Sequence, residues 1–250
     1  DGERASFIEA LELIDTLVQA NLVRATTPTD DGPRYGMLQT IREFGLSRLS
    51  GDERIAAHQA HASHFRVMAT SAEEHYRGPN AVVWFDRLDT NIDNLRAAVT
   101  WLATGEGGDP HASMSMTVEL WEFLEDRNRL QDAQTLLSMA IDAAPDAPGC
   151  LRARALAQLG NTWLTNFEQA ETCFRRSIEA AAEDFGSDWQ MTATLGLGNI
   201  ALMRGHFDES LAIARDVLER SRAEDDPVAI AQALLVLGYT LEFAGHAVQA

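Results

Sequence analysis

Apolar positions along this 250-residue chain follow two different patterns. From Ser113 onward they recur at helical spacing, in segments separated by short polar turns, and the segments repeat. Leu156-Ala157-Gln158-Leu159-Gly160-Asn161, Thr194-Leu195-Gly196-Leu197-Gly198-Asn199 and Leu234-Leu235-Val236-Leu237-Gly238-Tyr239 each carry Leu-Gly at one point, with the glycines 38 and 40 residues apart. A polar turn and a second amphipathic segment follow, led by Phe167-Glu168-Gln169-Ala170 in one copy and Phe207-Asp208-Glu209-Ser210 in the next. Gly205 and Gly245 occupy matching turn positions. A more divergent copy fits Leu120-Trp121, then Leu130 to Ala133, with Leu137 and Ala140 on its second helix. A unit that repeats at this period buries its apolar stripe only against its neighbours. The pattern therefore predicts stacked antiparallel helix pairs over residues 113–250, wound into a right-handed solenoid without β-strands.

The first hundred residues read differently. Phe7, Leu11, Ile14, Leu17 and Val18 form a helical stripe that runs out near Ala20. Leu22–Thr26 and Arg34–Leu38, separated by the polar turn Asp30-Asp31-Gly32-Pro33, carry a hairpin signal. Helices are predicted over Thr40–Leu49, Asp52–Tyr76 and Ala81–Leu102, punctuated by Gly51 and Gly78-Pro79. The fold class is all-α, in three segments: a small hairpin-bearing piece over 1–50, a helical linker over 51–112 and the repeats over 113–250, the last ending in mid-unit so that the natural protein is expected to continue.

The Leu-Gly units resemble the tetratricopeptide family, whose unit is a helix-turn-helix with Leu-Gly in its first helix. Trp163 stands at the family's first-helix tyrosine, Ala201 and Leu241 replace that aromatic in the later copies, and the closing proline is missing. The turn from Gly160 to Phe167 is two residues shorter than that from Gly198 to Phe207, and the long spacing implies extended links such as Ala223–Pro227. A second resemblance covers the earlier part. Ile14–Arg24 and Arg34–Phe44 look like the end of the winged-helix segment of STAND-type signalling ATPases, large bacterial regulators associated with LuxR-like or SARP-like transcriptional domains. His61–Phe65 and Leu88–Ala98 resemble the linker that leads to their repeats. The resemblance implies that the nucleotide-binding domain precedes residue 1, with ATP hydrolysis and promoter binding outside this chain.

Composition narrows the chemistry. All 20 basic residues are arginine. Without a lysine the chain cannot contain a P-loop GxxxxGK or a Schiff-base site. The 38 acidic residues bring the net charge to -18, which repels a phosphate backbone and argues against nucleic acid as a partner. No segment has the roughly 20 apolar residues of a membrane span, and a cytoplasmic protein is expected. Cys150 and Cys173 stand apart from any CxxC pair and read as structural thiols. No catalytic, metal or cofactor site is expected. His58, His61 and His64 share an arc of one helix but lack companion ligands. The carboxylates Glu73-Glu74, Glu168 with Glu171, and Asp225-Asp226 read as solvated, and the five tryptophans as core.

What remains is a binding module for a protein or peptide, including another domain of the same protein; a small hydrolase or metal-dependent enzyme on a helical scaffold is the rival. Asn161 and Asn199 directly follow Leu-Gly, on the first helix that lines the groove of tetratricopeptide proteins, where an amide can pair with an extended backbone. Arg154 is the expected carboxylate partner, Tyr239 and Phe243 supply apolar contact, and the acidic stretch around Glu119, Glu122, Glu125 and Asp126 favours basic ligands.

Overall fold

The computed structural model describes residues 2–29, 32–163, 165–182 and 189–245, with side chains from residue 9 onward apart from 26–32. Asp30 and Asp31, the Phe7 side chain and the last five residues lie outside the described residues. Among those described there are thirteen helices and one two-stranded sheet, an all-α fold. Two compact units divide it, Asp1–Ala57 and His58–Ala250.

In the first unit, α1 (Gly2–Gln19) leads into β1 (Val23–Thr29) and β2 (Gly32–Met37), which pair antiparallel with Val23 opposite Met37 and Ala25 opposite Tyr35. The register shifts between Thr26 and Thr29, so both strands run longer than the alternating pattern predicts. Asn21 turns the chain out of α1 at φ 56°, and Leu22 N–H reaches back to Leu17 O, closing the helix end in the manner usually given to glycine. α2 (Gln39–Arg48) follows. Val23 is the one buried apolar side chain described in this unit, while Leu13, Leu38 and Phe44 are exposed.

The second unit has helices joined by turns and no strand among its described residues. α3 (Gly51–Glu73) begins in the first unit, on a reciprocal Ser50–Glu53 cap, and runs into the second. The single helix expected over Ala81–Leu102 is two, α4 (Ala81–Thr90) and α5 (Ile92–Thr104). Asn91 breaks it: its backbone leaves helical ψ, and its side-chain amide donates to Arg87 O, offering the chain a local alternative to the helical ladder. The break lets Leu88 and Leu95, both fully buried, enter one core from differently directed helices.

The divergent first copy is also split, into α6 (Pro110–Glu119) and α7 (Trp121–Asp126), before its second helix α8 (Leu130–Ala143). Asp109 caps α6 through Ala112 N–H, with Pro110 in the first turn. Asn128, at φ 53°, ends α7. Arg127 and Arg129 reach Asp86 and Asp89 on α4, and Arg96 on α5 reaches Asp132 on α8, so these helices are tied by ion pairs as well as by apolar packing. One apolar core runs from Phe65 through Leu95 and Leu137 to Leu156, continuous across residue 112.

The Leu-Gly copies are the helix pairs α9 (Gly149–Thr162) with α10 (Phe167–Ala181), and α11 (Trp189–Met203) with α12 (Phe207–Ala223), followed by α13 (Pro227–Phe243). Asn166 caps α10 and Asp226 caps α13. Gly205 closes α11 at φ +79°, a left-handed position that glycine adopts without the usual Cβ penalty; Asp225, at φ 56°, serves the same purpose after α12.

The role of glycine in packing is specific. The Phe174 ring of α10 lies between α9 and α11, and a Cβ on Gly160 or Gly196 would come within 2.6 Å and 2.5 Å of its atoms. Gly198 meets Ile213 at 3.1 Å, whereas Gly238 faces open space. Close helix approach thus rests on Gly160 and Gly196, and Gly196 lies two residues before the repeated Leu-Gly position.

Candidate functional site

The first helices of the pairs line a groove of about 570 Å³ within the second unit. Gln158 and Asn161 come from α9, Thr192 from α11 and Gln232 from α13, facing Tyr76, Phe85, Trp121 and the acids Glu122, Glu125 and Asp126. The repeat period relates part of this lining. Thr192 and Gln232 stand 38 and 40 residues apart after Arg154, so all three share one register, as do Asn161, Asn199 and Tyr239. Both registers fall on exposed or half-exposed positions of their helices.

The six residues expected at the site are placed as follows. Asn161 and Glu122 line the groove together. Asn161 and Asn199 share a smaller hollow of about 170 Å³, with Trp163, Phe167 and Met203 around it. Both asparagines are exposed. Tyr239 and Phe243 are exposed on α13, seven and eleven residues after Gln232. At 100° per residue they fall within roughly 20° of it and continue the same face.

Arg154 already has partners: its guanidinium pairs with Glu73 at 2.5 Å, donates to Val118 O at 3.1 Å and lies over the Trp189 ring at 5.4 Å. The α6–α7 break exposes that carbonyl at a helix C-terminus, where a cation is favoured. Glu122 pairs with Arg77 at 3.0 Å.

Tyr76, Trp121, Gln158, Trp189, Thr192 and Gln232 complete the groove and were not singled out by sequence reasoning. Thr192 and Gln232 could have been reached by adding the repeat period to Arg154. Tyr76, in the turn after α3, and Trp121, on α7, lie outside the clear repeats, where no period applies.

The electrostatics of this wall are acidic. Burial pushes the Glu119 carboxyl above the usual carboxylate range, with Glu73 adding to the shift and hydrogen bonds from Thr70 and Ser115 opposing it. Burial likewise raises Glu125, helped by Glu122 and opposed by a hydrogen bond from Trp121. The Tyr76 phenol is held far above its ordinary value by burial, then by Glu73, Glu122 and Glu119.

Other candidate groups serve packing or pairing. His58 stacks on Trp101, while His61 and His64 both meet Phe65; no cluster of three metal-ligating side chains occurs among the described residues. The carboxylates expected to be solvated have structural work: Glu73 holds Arg154, Glu171 bridges Arg175 and Arg204, and Asp226 caps α13. They lie at helix contacts and ends, which residue type alone does not reveal. Trp121 and Trp189 pack against the core and also present surface to the groove. Burial raises the Cys173 thiol. No helix among the described residues is long and apolar enough to cross a membrane.

Residues 151–223 match the family profile for tetratricopeptide repeat. Proteins of Mycobacterium bovis and Mycobacterium tuberculosis, provisionally named HTH-type transcriptional regulators, are 28% identical to this chain over 171 residues, covering 62% of it. The chain spans 18% of the length of those relatives. The crystal structure of BtubC (BKLC) from P. vanneervenii superposes with a TM-score of 0.54 at 16% identity, over 81% of this chain and 87% of that one. By sequence over residues 151–223 the chain is similar to tetratricopeptide-repeat proteins, and over most of its length its fold is similar to that of BtubC.

Proposed function

We propose that this chain is a non-catalytic, peptide- or protein-binding regulatory module of a larger cytoplasmic bacterial transcriptional regulator of the STAND type, associated with LuxR-like or SARP-like domains. Its ATPase domain lies outside the chain, and the segment bound belongs to another protein or to another domain of the same one. The observation that carries the binding role is the groove: the first helices α9, α11 and α13 contribute the polar side chains Gln158, Asn161, Thr192 and Gln232 to one concavity. A ladder of that kind suits an extended segment. The regulator names of the mycobacterial relatives, and the small share of their length that the chain covers, support a place inside a longer protein. The exposed apolar side chains of Asp1–Ala57 support its reading as the end of a winged-helix segment completed by other parts of the protein.

In this reading Asn161 and Asn199 pair with the backbone of the bound segment, Tyr239 and Phe243 give it apolar contact further along, Glu122 lies on the acidic wall, and Arg154 holds that wall in place. Screening a peptide array for ligands, then measuring Asn161→Ala and Asn199→Ala by calorimetry, tests this. Each variant is expected to weaken binding by about 1–2 kcal/mol, the scale of a partly buried hydrogen bond, with melting unchanged. Unchanged affinity would make the asparagines bystanders, and parallel loss of melting would make them structural.

A further inference from the structure

Two buried polar atoms in the groove lack a hydrogen-bond partner among the described residues: the Tyr76 hydroxyl and Gln158 Oε1. Tyr76 is 8% exposed and Gln158 is 1% exposed. Leaving a buried polar atom without a partner is costly, and two of them in one concavity call for a ligand that supplies the missing bonds. The Gln158 amide has a defined orientation. Its Nε2 donates to Val118 O at 3.3 Å, which leaves Oε1, an acceptor, without a bond on a residue that lines the groove. The matching ligand group is therefore a donor.

The surroundings specify its charge. Among the lining residues, Glu122, Glu125 and Asp126 stand against Arg77 alone, and Arg77 is 72% exposed and already paired with Glu122. The rings of Phe85, Trp121 and Trp189 line the same space. Acceptors, an acidic surplus and aromatic faces together match a flat cation with several N–H donors. A guanidinium answers this description better than an ammonium, because it stacks on rings and donates in several directions within one plane.

We propose that this end of the groove is a subsite for an arginine side chain of the bound segment, with Tyr76 and Gln158 accepting from its guanidinium and Glu122, Glu125 and Asp126 balancing its charge. The subsite rests on the peptide-binding reading above and adds the residue type that the peptide must present. Glu122 exchanges its exposed pairing with Arg77 for the incoming guanidinium.

The test uses the full chain and a capped ten-residue peptide of alanine and serine carrying two arginines, with the citrulline version as its neutral isostere. Binding is followed by tryptophan fluorescence, since Trp121 and Trp189 line the site. Free agmatine is titrated separately. The arginine peptide is expected to bind at least about tenfold more tightly than the citrulline peptide, the scale of a charge-assisted hydrogen bond.

Tyr76→Phe removes a buried hydroxyl that has no partner in the free protein, so it should leave melting unchanged or raised while reducing the arginine preference severalfold. Glu125→Gln should also reduce it. Equal binding of the arginine and citrulline peptides, or an arginine preference untouched in both variants, would overturn the subsite while leaving the groove as a peptide site. Agmatine binding as tightly as the peptide would uphold a cation pocket but overturn its assignment to a peptide side chain. Absence of binding by every probe would overturn the arginine subsite directly; the array screen would still decide the groove.

Discussion

The two units of this chain treat their apolar residues in opposite ways. In His58–Ala250 the helical stripes close on one another, and Leu88, Leu95, Met114, Phe123 and Val217 are fully buried. In Asp1–Ala57 a stripe of similar spacing leaves Leu11 at 45% exposure, and outside that stripe Leu13 stands at 66% and Phe44 of α2 at 67%. Periodicity reports where apolar residues gather on an element. It does not report whether anything within the chain covers them. The second unit holds its own core, whereas the first carries apolar faces whose contribution depends on what lies against them.

The largest effects that could break this contrast lie at the Phe174 clamp. Phe174→Ala should destabilise the protein by about 3–5 kcal/mol, the usual cost of emptying a buried aromatic site. Gly196→Ala should cost about 1–3 kcal/mol by forcing that ring to move. Gly238→Ala, at a position with open space around it, should instead stabilise by about 0.5–1 kcal/mol through helix propensity. Urea unfolding of the three variants checks the series, and a loss at Gly238 equal to that at Gly196 would refute the packing argument.

A second expectation concerns pH. Glu119 and Glu125 have folded-state pKa values raised by burial, so the native state takes up protons at a higher pH than the unfolded chain. Stability contributed by these groups therefore rises as pH falls from neutral through the top of the carboxylate range. Glu171, lowered by hydrogen bonds from Arg175 and Arg204, has the opposite sign: its contribution is present above the unfolded value and disappears as pH falls through the folded one. Glu119→Gln should flatten the upper part of the melting-temperature profile and leave the acid limb, to which Glu171 contributes, in place. A profile unchanged by that substitution would mean that Glu119 is not the group responsible.

The smallest effect is expected in the first unit. Phe44→Ala should change stability by less than about 0.5 kcal/mol, as at other exposed positions. A cost comparable to that at Phe174 would show that this face is covered in the isolated chain.

The helix pairs, their turns and the hairpin were legible because each rests on local signals: the Leu-Gly period, glycine at the turn and alternation in the strands. The breaks at Asn91 and Leu120 were not, since Asn91 acts through its own side-chain bond and Leu120 is an ordinary helix former. The reversal at Asn128 also escaped notice because it uses a left-handed residue other than glycine, as does Asp225 within the link that the spacing implied. At the candidate site, Asn161 could be reached from the repeat. Gln158 and Tyr76 could not, because their interest lies in what they fail to pair with, a property of packing alone.

The central claim is that a bound segment runs along the first helices. Hydrogen exchange of the full chain, with and without a peptide taken from the array, tests it most directly. The account predicts added protection in α7, α9, α11 and α13, with little change in α10, α12 or Asp1–Ala57. Protection concentrated on α10 and α12, or within Asp1–Ala57, would contradict it.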